Sequence, residues 1–475
     1  MTLLVIALYF VFLSVIGWLA YRRVKGSTDQ FFVAERSLGT FVNSWAFLAS
    51  LASGGSMLAG VGTAMALGFP YIAATTAGAV VGFVVASIVV AKPLRALGEY
   101  TVPDYFRARF QSRIIAWVVP LIILVGSMAY LVAQLKAASI VTEYALGWDY
   151  SVGVIVTGLL FTAYVSAGGF LAVSWNDVFQ GILMFAGLVG LIIAALGTID
   201  GFSGSFNMAL TDYPALGTGS GTDVSPATYV GAFITGVTVM SVLPHVIMRV
   251  FSAKSVKSAK VSLNVSMLIY AAMMLGSATV LTVAATTIPS VTSESGDEAF
   301  LLIVEKVLGP VGQGVIMAAV LAAIMSTTAG LLMVCNAVVA NDIFSRVLRP
   351  EAPQRTIVRV AGGATWIVGV LAILLALNPP DLLIVLYIAA QGFIAASLFF
   401  PMVLGMWWSR CTTSGAIAGV IGGAVIFAIM FAWGGLGTSA EVVVALPASL
   451  ILTVVVSLMS GESKVGRTEQ VERVV

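Results

Sequence analysis

Thirteen long apolar stretches divide this chain, and they leave it little choice but to fold within a lipid bilayer. A helix that crosses the hydrocarbon core needs about 20 mostly apolar residues. Runs of that kind occupy residues 3–20, 40–66, 71–91, 114–142, 150–166, 173–196, 228–248, 262–288, 311–340, 356–377, 382–407, 413–431 and 442–460. Only 9% of the 475 residues are charged and 60% are hydrophobic, whereas a soluble domain carries roughly 25% charged residues. This shortage of polar surface excludes a water-soluble enzyme, a nucleic-acid binder and a disordered scaffold. Cys335 and Cys411 lie in or beside apolar runs, so no disulfide framework is expected. The single His245 leaves no room for a histidine-based metal cluster. The expected architecture is an all-α integral membrane protein, with one transmembrane domain over residues 1–460 and a short cytoplasmic tail, 461–475.

Lys and Arg in short loops favour the cytoplasm. With the N-terminus outside, one set of loops collects nearly all of them. Arg22, Arg23, Lys25 and Arg36 follow helix 1, and Lys92, Arg95, Arg107, Arg109 and Arg113 follow helix 3. Arg249, Lys254, Lys257 and Lys260 follow helix 7; Arg346, Arg349, Arg355 and Arg359 follow helix 9. Arg410 follows helix 11, and Lys464, Arg467 and Arg473 sit in the tail. The opposite side holds Lys306 against Asp200, Asp212, Asp223, Asp297, Glu298 and Asp381. An outside N-terminus, thirteen spans and an inside C-terminus satisfy every loop. The first stretch lacks a cleavage signature and runs into Tyr21-Arg22-Arg23, so it reads as a retained helix and not a signal peptide.

Some of these helices are interrupted. In lipid every backbone N–H and C=O needs a partner, so irregular backbone survives only against protein or a water-filled cavity. Helix 2 carries Ser50-Leu51-Ala52-Ser53-Gly54-Gly55-Ser56 in mid-span. Glycine weakens a helix and serine hydroxyls can serve freed backbone groups; close packing through small residues is the plainer reading. Helix 7, five helices later, carries Gly231, Gly236 and Pro244. Matching interruptions in two halves point to an inverted-repeat transporter with its site at the breaks, the repeats covering about 40–196 and 228–407. Helix 9 places Ser326, Thr327 and Thr328 inside an apolar span. These hydroxyls can bond back to their own helix or serve as hard oxygen ligands of a cation such as sodium. Asp177 opens helix 6, where a capping role is the plain alternative to a functional one. Lys136 lies inside helix 4, seven residues from Glu143. It either faces a functional site or snorkels to the outer interface.

Six motifs, in order, resemble the sodium/solute symporter family, whose members carry glucose, proline, pantothenate, acetate and sialic acid with sodium. The likeness runs from about Gly26 to Gly422. Residues 27–39 (Ser27 to Gly39) look like the family's first cytoplasmic loop, and Tyr100-Thr101-Val102-Pro103-Asp104-Tyr105-Phe106 with Arg109-Phe110 its second. Residues 168–180 carry a Trp-x-Asp-x-x-Gln core like the family signature, and Leu243-Pro244-His245 through Arg249 resembles its Pro-His-x-x-x-Arg motif. Residues 323–344, ending Asn341-Asp342-Ile343-Phe344, resemble its sodium-binding helix; Trp408-Ser409-Arg410 with residues 415–419 resembles its late loop.

The resemblance implies a LeuT-like core of two inverted five-helix repeats, with one helix before it and two after. It implies a sodium site made by the carbonyls of Ala49, Ala52 and Ala323 and the hydroxyls of Ser326 and Thr327. Where some members bind a second sodium, the hydroxyl positions here are Ala329 and Gly330, which implies one ion per cycle with Asp177 helping its inward release. The solute is expected between the breaks, at Ser50, Ser53 and Ser56 on one side and Thr235 or Thr238 on the other, with Gln134 and Lys136 beside them. Leu51 and Gly236 stand where proline carriers have an acid and a Trp, and the Tyr-Thr-x-x-Asp loop looks closest to the short monocarboxylate branch. The expected function is therefore sodium-coupled import of a short carboxylate such as acetate, pyruvate or pantothenate, by alternating access across the cell membrane. A sodium/proline or other amino-acid symporter and a proton-coupled carrier of the same fold are the alternatives. The expected partners are the solute, sodium and the bilayer, with no nucleic acid and no enzymatic activity, and a single chain suffices as a working monomer.

Overall fold

The computed structural model describes residues 1–21, 27–218, 224–289, 291, 293–379, 383–435 and 439–460. Arg22, Arg23, Lys25, Asp223, Asp381 and the tail 461–475 lie outside the described residues. Among those described, the fold is helical, with no strand and one parallel bridge between Leu38 and Ala253.

Helix α1 (Thr2–Tyr21) and the short α2 (Thr28–Val33) lead to α3 (Thr40–Leu51) and α4 (Gly54–Leu67), which meet at an angle of 51°. A π-helical segment joins α5 (Phe69–Val85) to α6 (Ala91–Leu97); α7 (Val102–Phe110) then leads to α8 (Arg113–Leu146). In α9 (Tyr150–Leu196), Gly169 takes φ 59° and ψ −170°, which splits it into Tyr150–Ser166 and Gly168–Leu196. The next connection holds α10 (Phe202–Asp212) and α11 (Ala215–Thr218). A second interrupted helix follows, α12 (Pro226–Val239) and α13 (Pro244–Ser252), then α14 (Val256–Thr286) and α15 (Ala299–Val307). Helix α16 (Pro310–Ala337) continues as a π-helix to Leu348 and precedes α17 (Gln354–Ala376), α18 (Leu383–Trp407), α19 (Thr413–Trp433) and α20 (Glu441–Met459).

Among the described residues ten helices are long and apolar enough to cross a membrane, and the bent α3–α4 pair makes eleven. The other two of the thirteen expected stretches are shorter apolar helices, Thr2–Ile16 and Tyr150–Ser166, so a count of thirteen needs these as well. Helix α16 is the axis of the molecule, with 94% of its apolar window buried against 33% for α20. Its sequence explains this place. It is rich in Ala, Gly, Ser and Thr, whose small side chains let neighbouring helices approach closely in a medium without a hydrophobic drive between them.

The second interruption lies at Met240–Leu243, just before Pro244, which opens α13 at a position where its missing N–H costs no helical bond. Gly231 and Gly236 are not part of this break. They lie inside α12, and a Cβ on Gly236 would stand 2.7 Å from the Ala79 amide nitrogen of α5, so the glycine serves close packing. Two charges expected to mark loops are buried instead. Arg109 is 1% exposed and donates to the carbonyls of Gly405 at 2.8 Å and Cys411 at 3.1 Å. Arg249 is fully buried in α13.

Candidate functional site

At the α3–α4 junction the chain leaves helical geometry for two residues, with Ala52 at φ −69°, ψ 96° and Ser53 at φ −99°, ψ 167°. Ser53 and Ser56 then close a reciprocal cap. The Ser56 amide donates to Ser53 Oγ at 3.2 Å, and the Ser53 amide donates to Ser56 Oγ at 2.8 Å. In an uninterrupted helix these two amides would bond the carbonyls of Ala52 and Ala49. The cap therefore frees both oxygens in the interior of the protein. Gln134 of α8 completes the junction, its Oε1 accepting from the Gly54 amide at 3.1 Å while its Nε2 has no partner. Gly54 is required here for contact. A Cβ would lie 2.6 Å from Ile324 Cγ1 and 2.7 Å from Ala137 Cβ, so any side chain would push the break away from α16 and α8.

Across this junction α16 presents its hydroxyls. Ser326 Oγ lies 2.7 Å from the Ala49 carbonyl and 3.0 Å from that of Ala323. Thr327 Oγ1 is buried with no hydrogen-bond partner. Ala49, Ala52, Ala323, Ser326 and Thr327 are all fully buried. An orphaned buried hydroxyl is rare enough to require a reason. A hydroxyl can turn its hydrogen aside and present a lone pair, so atoms that now bond one another can jointly face a cation. Neutral hard oxygens from a helix break and a facing hydroxyl pair suit a desolvated sodium ion, with no charged side chain needed.

A cavity of about 90 Å³ lies beside the break, between α4, α5, α12, α14 and α18. Ser56 and Thr235 line it, and Thr235 Oγ1 has no partner. The other expected solute contacts lie outside the lining. Ser50 Oγ donates to the Ala46 carbonyl at 2.8 Å, Ser53 is spent on the cap, Gln134 on the Gly54 amide, and Thr238 Oγ1 donates to Ile234 at 2.8 Å. Lys136, 8% exposed, is not in the lining. It lies within electrostatic reach of Asp297, whose carboxyl burial pushes up while the Leu383 amide, at 3.1 Å, and the Lys136 charge oppose the shift. The lining instead includes Tyr270, Tyr387 and Gln391, which sequence reasoning missed. Gln391, a polar side chain within an apolar span, was the available signal; the tyrosines gave none that separates them from ordinary core aromatics.

Asp177 does not cap a helix. The helix starts at Gly168, which puts Asp177 more than two turns inside, 1% exposed and ion-paired with Arg249. Arg249 also donates to Ser174 Oγ at 2.6 Å and Ser50 Oγ at 3.3 Å, and its guanidinium lies 4.5 Å from the centre of the Phe170 ring. The arginine of the Pro-His motif thus binds α13 to α9 and to α3, two residues before the break. Asp177 Oδ1 has no hydrogen-bond partner among the described residues.

Residues 31–423 match the family model described as the sodium:solute symporter family. The sodium/pantothenate symporter of Escherichia coli (strain K12) is 28% identical over 427 residues, 88% of each chain. The sodium/proline symporter of Staphylococcus aureus (strain JH9) is 28% identical over 446 residues, 91% of this chain and 86% of the other. Among solved structures, a substrate-bound, outward-open sodium-coupled sialic acid symporter superposes with a TM-score of 0.79 at 20% identity, covering 96% of this chain and 97% of that one.

Proposed function

Because the chain belongs to the sodium:solute symporter family, we propose that it is a sodium-coupled importer of a small organic solute, and that this solute is a short carboxylate. The observation that supports the coupling is the contact of the Ser326 hydroxyl with the Ala49 carbonyl at the break, beside the orphaned hydroxyl of Thr327. An ion shifts a conformational equilibrium only through its different affinity for the two states. Sodium held between the α3–α4 break and α16 would favour the state in which these elements touch, and so complete the adjoining cavity. Inward rocking would separate them and release ion and solute together. One charge moving across 100 mV adds about 2.3 kcal/mol to the gradient that drives import. Asp177 would receive the ion as it leaves, a role that its carboxylate oxygen without a hydrogen-bond partner among the described residues supports. The family and the apolar helices make this an integral membrane transporter and not an enzyme; the cell membrane is the proposed location and a single chain the proposed unit.

The carboxylate reading rests on the half-helix α4. Its N-terminal residues Gly55 and Ser56 line the cavity, and the positive end of a helix dipole favours an anionic group. Hydroxyls of Thr235, Tyr270 and Tyr387 and the Gln391 amide supply neutral donors. Lys136 is not needed for it. Among the described residues the lining holds no Asp or Glu to pair with the ammonium group of an amino acid. The relatives that carry pantothenate and proline frame the choice. Uptake into proteoliposomes under a sodium gradient, with acetate, pyruvate, pantothenate and proline as competitors, decides it. A carboxylate should compete best; proline competing best would overturn the solute assignment. Uptake that follows a pH gradient in sodium-free buffer would instead favour proton coupling.

A further inference from the structure

A second, larger cavity lies at the C-terminal end of the π-helix that continues α16, on the side that the arginine-rich loops assign to the cytoplasm. It measures about 510 Å³ and sits where α7, the start of α8 and the π-helical end of α16 converge. Arg107, Arg113 and Arg346 line it against one acid, Glu99. Arg107 reaches Asp104 at 3.0 Å and Glu99 at 3.9 Å; Arg346 reaches Glu99 at 2.8 Å and Asp104 at 3.7 Å. Both arginines line the cavity and remain 34% exposed, so neither is fully spent on these acids. Arg113 is exposed and makes no ion pair among the described residues. Asp342, one layer deeper, is held by Thr101 at 2.8 Å and Asn341 at 2.8 Å and makes no ion pair with the three arginines. On the cavity wall three guanidinium groups thus stand against one carboxylate, Glu99, while Asp104 and Asp342 are buried behind them.

We propose that this cavity binds a phosphate group, supplied by the headgroup of an anionic lipid. Planar guanidinium groups fork onto phosphate oxygens with two parallel hydrogen bonds each, a geometry that water and lone ammonium groups do not match. Position selects the lipid as the source. Directly after Arg113, α8 turns Ile114 and Trp117 outward, 52% and 39% exposed, on a helix apolar enough to cross the membrane. A tryptophan at such a level marks the headgroup boundary, and basic pockets at the cytoplasmic boundary recognise anionic headgroups. A phosphate there would also join the end of the hydroxyl-bearing helix α16, through Arg346, to α7 and α8, through Arg107 and Arg113. Lipid would thereby favour the conformation in which these elements are packed together.

Native mass spectrometry of the full chain in detergent, titrated with phosphatidylglycerol or phosphatidylcholine, tests this. Arg113→Gln is the informative variant, because that side chain is exposed and holds no partner that folding requires. Arg355→Gln, exposed on the same side but outside the cavity, is the control. The wild type should retain phosphatidylglycerol in preference to phosphatidylcholine, Arg113→Gln should weaken that binding roughly tenfold, and Arg355→Gln should leave it within about twofold of wild type. Equal binding by Arg113→Gln and wild type, or equal weakening by both variants, would overturn the site. Inorganic phosphate displacing the lipid at millimolar concentration would overturn the lipid as its source.

Discussion

Replacing Asp177 by Asn breaks an ion pair whose two side chains are each 1% exposed. Removing one partner of a buried pair costs about 3–5 kcal/mol, because the surviving charge sits where water cannot reach it. The two halves of this pair are not equivalent. Without Asp177, Arg249 keeps Ser174 at 2.6 Å, Ser50 at 3.3 Å and the Phe170 ring at 4.5 Å. Without Arg249, Asp177 keeps no partner for either oxygen, since Oδ1 already lacks one. Asp177→Asn should therefore fall near the lower end, about 3 kcal/mol, and Arg249→Gln near the upper, about 5 kcal/mol. The double variant leaves no orphan charge and should cost about 1–3 kcal/mol less than the sum of the singles. Denaturant unfolding of the four proteins in detergent micelles, followed by tryptophan fluorescence, measures the cycle. Additive costs, or Arg249→Gln milder than Asp177→Asn, would refute the view that this pair binds α13 to the signature helix.

Thr327→Val removes a hydroxyl that bonds nothing, so in sodium-free buffer the protein should be more stable by about 1 kcal/mol. Sodium-dependent stabilisation should be lost in Thr327→Val and kept in Thr327→Ser, as thermal unfolding with and without sodium will report. Gly54→Ala introduces a Cβ 2.6 Å from Ile324 and should cost about 1–3 kcal/mol through overpacking. A sodium titration of uptake should show weaker apparent sodium affinity in that variant, because the break is forced off α16. Cys411 is buried, and desolvation pushes its thiol up to about 11 against the opposing charge of Arg109. At neutral pH its thiolate is therefore scarce, and maleimide labelling followed by mass spectrometry should be slow in the native protein, faster as pH rises, and complete on unfolding.

The apolar runs and the helix-2 break were legible because lipid imposes one rule on every residue: apolar outside, backbone paired inside. Ser53-Gly54-Gly55-Ser56 pointed to an interruption with close packing as the alternative, and the structure bends the chain there by 51°. Glycine in α12 misled for the same reason it is useful. Absent a Cβ, it signals equally a break or a close approach, and Gly236 serves the second. Arg109 and Arg249 looked like loop charges because a sequence count of sign and spacing does not register burial. What pairs them, the carbonyls of Gly405 and Cys411 and the carboxylate of Asp177, comes from distant segments. The solute contacts were least legible. Serines near a break were all candidates, yet Ser53 turns to the cap and Arg249 engages Ser50; Ser56 lines the cavity while its hydroxyl also closes the cap.

The sodium site proposed at the junction of α3, α4 and α16 is a shell of neutral oxygens. Equilibrium binding of radioactive sodium to the purified protein tests it without knowledge of the solute. Wild type should bind sodium saturably, with no displacement by potassium or choline, and Ser326→Ala combined with Thr327→Ala should weaken binding at least tenfold while Asp177→Asn retains it. Unchanged sodium binding in the double variant would contradict the assignment.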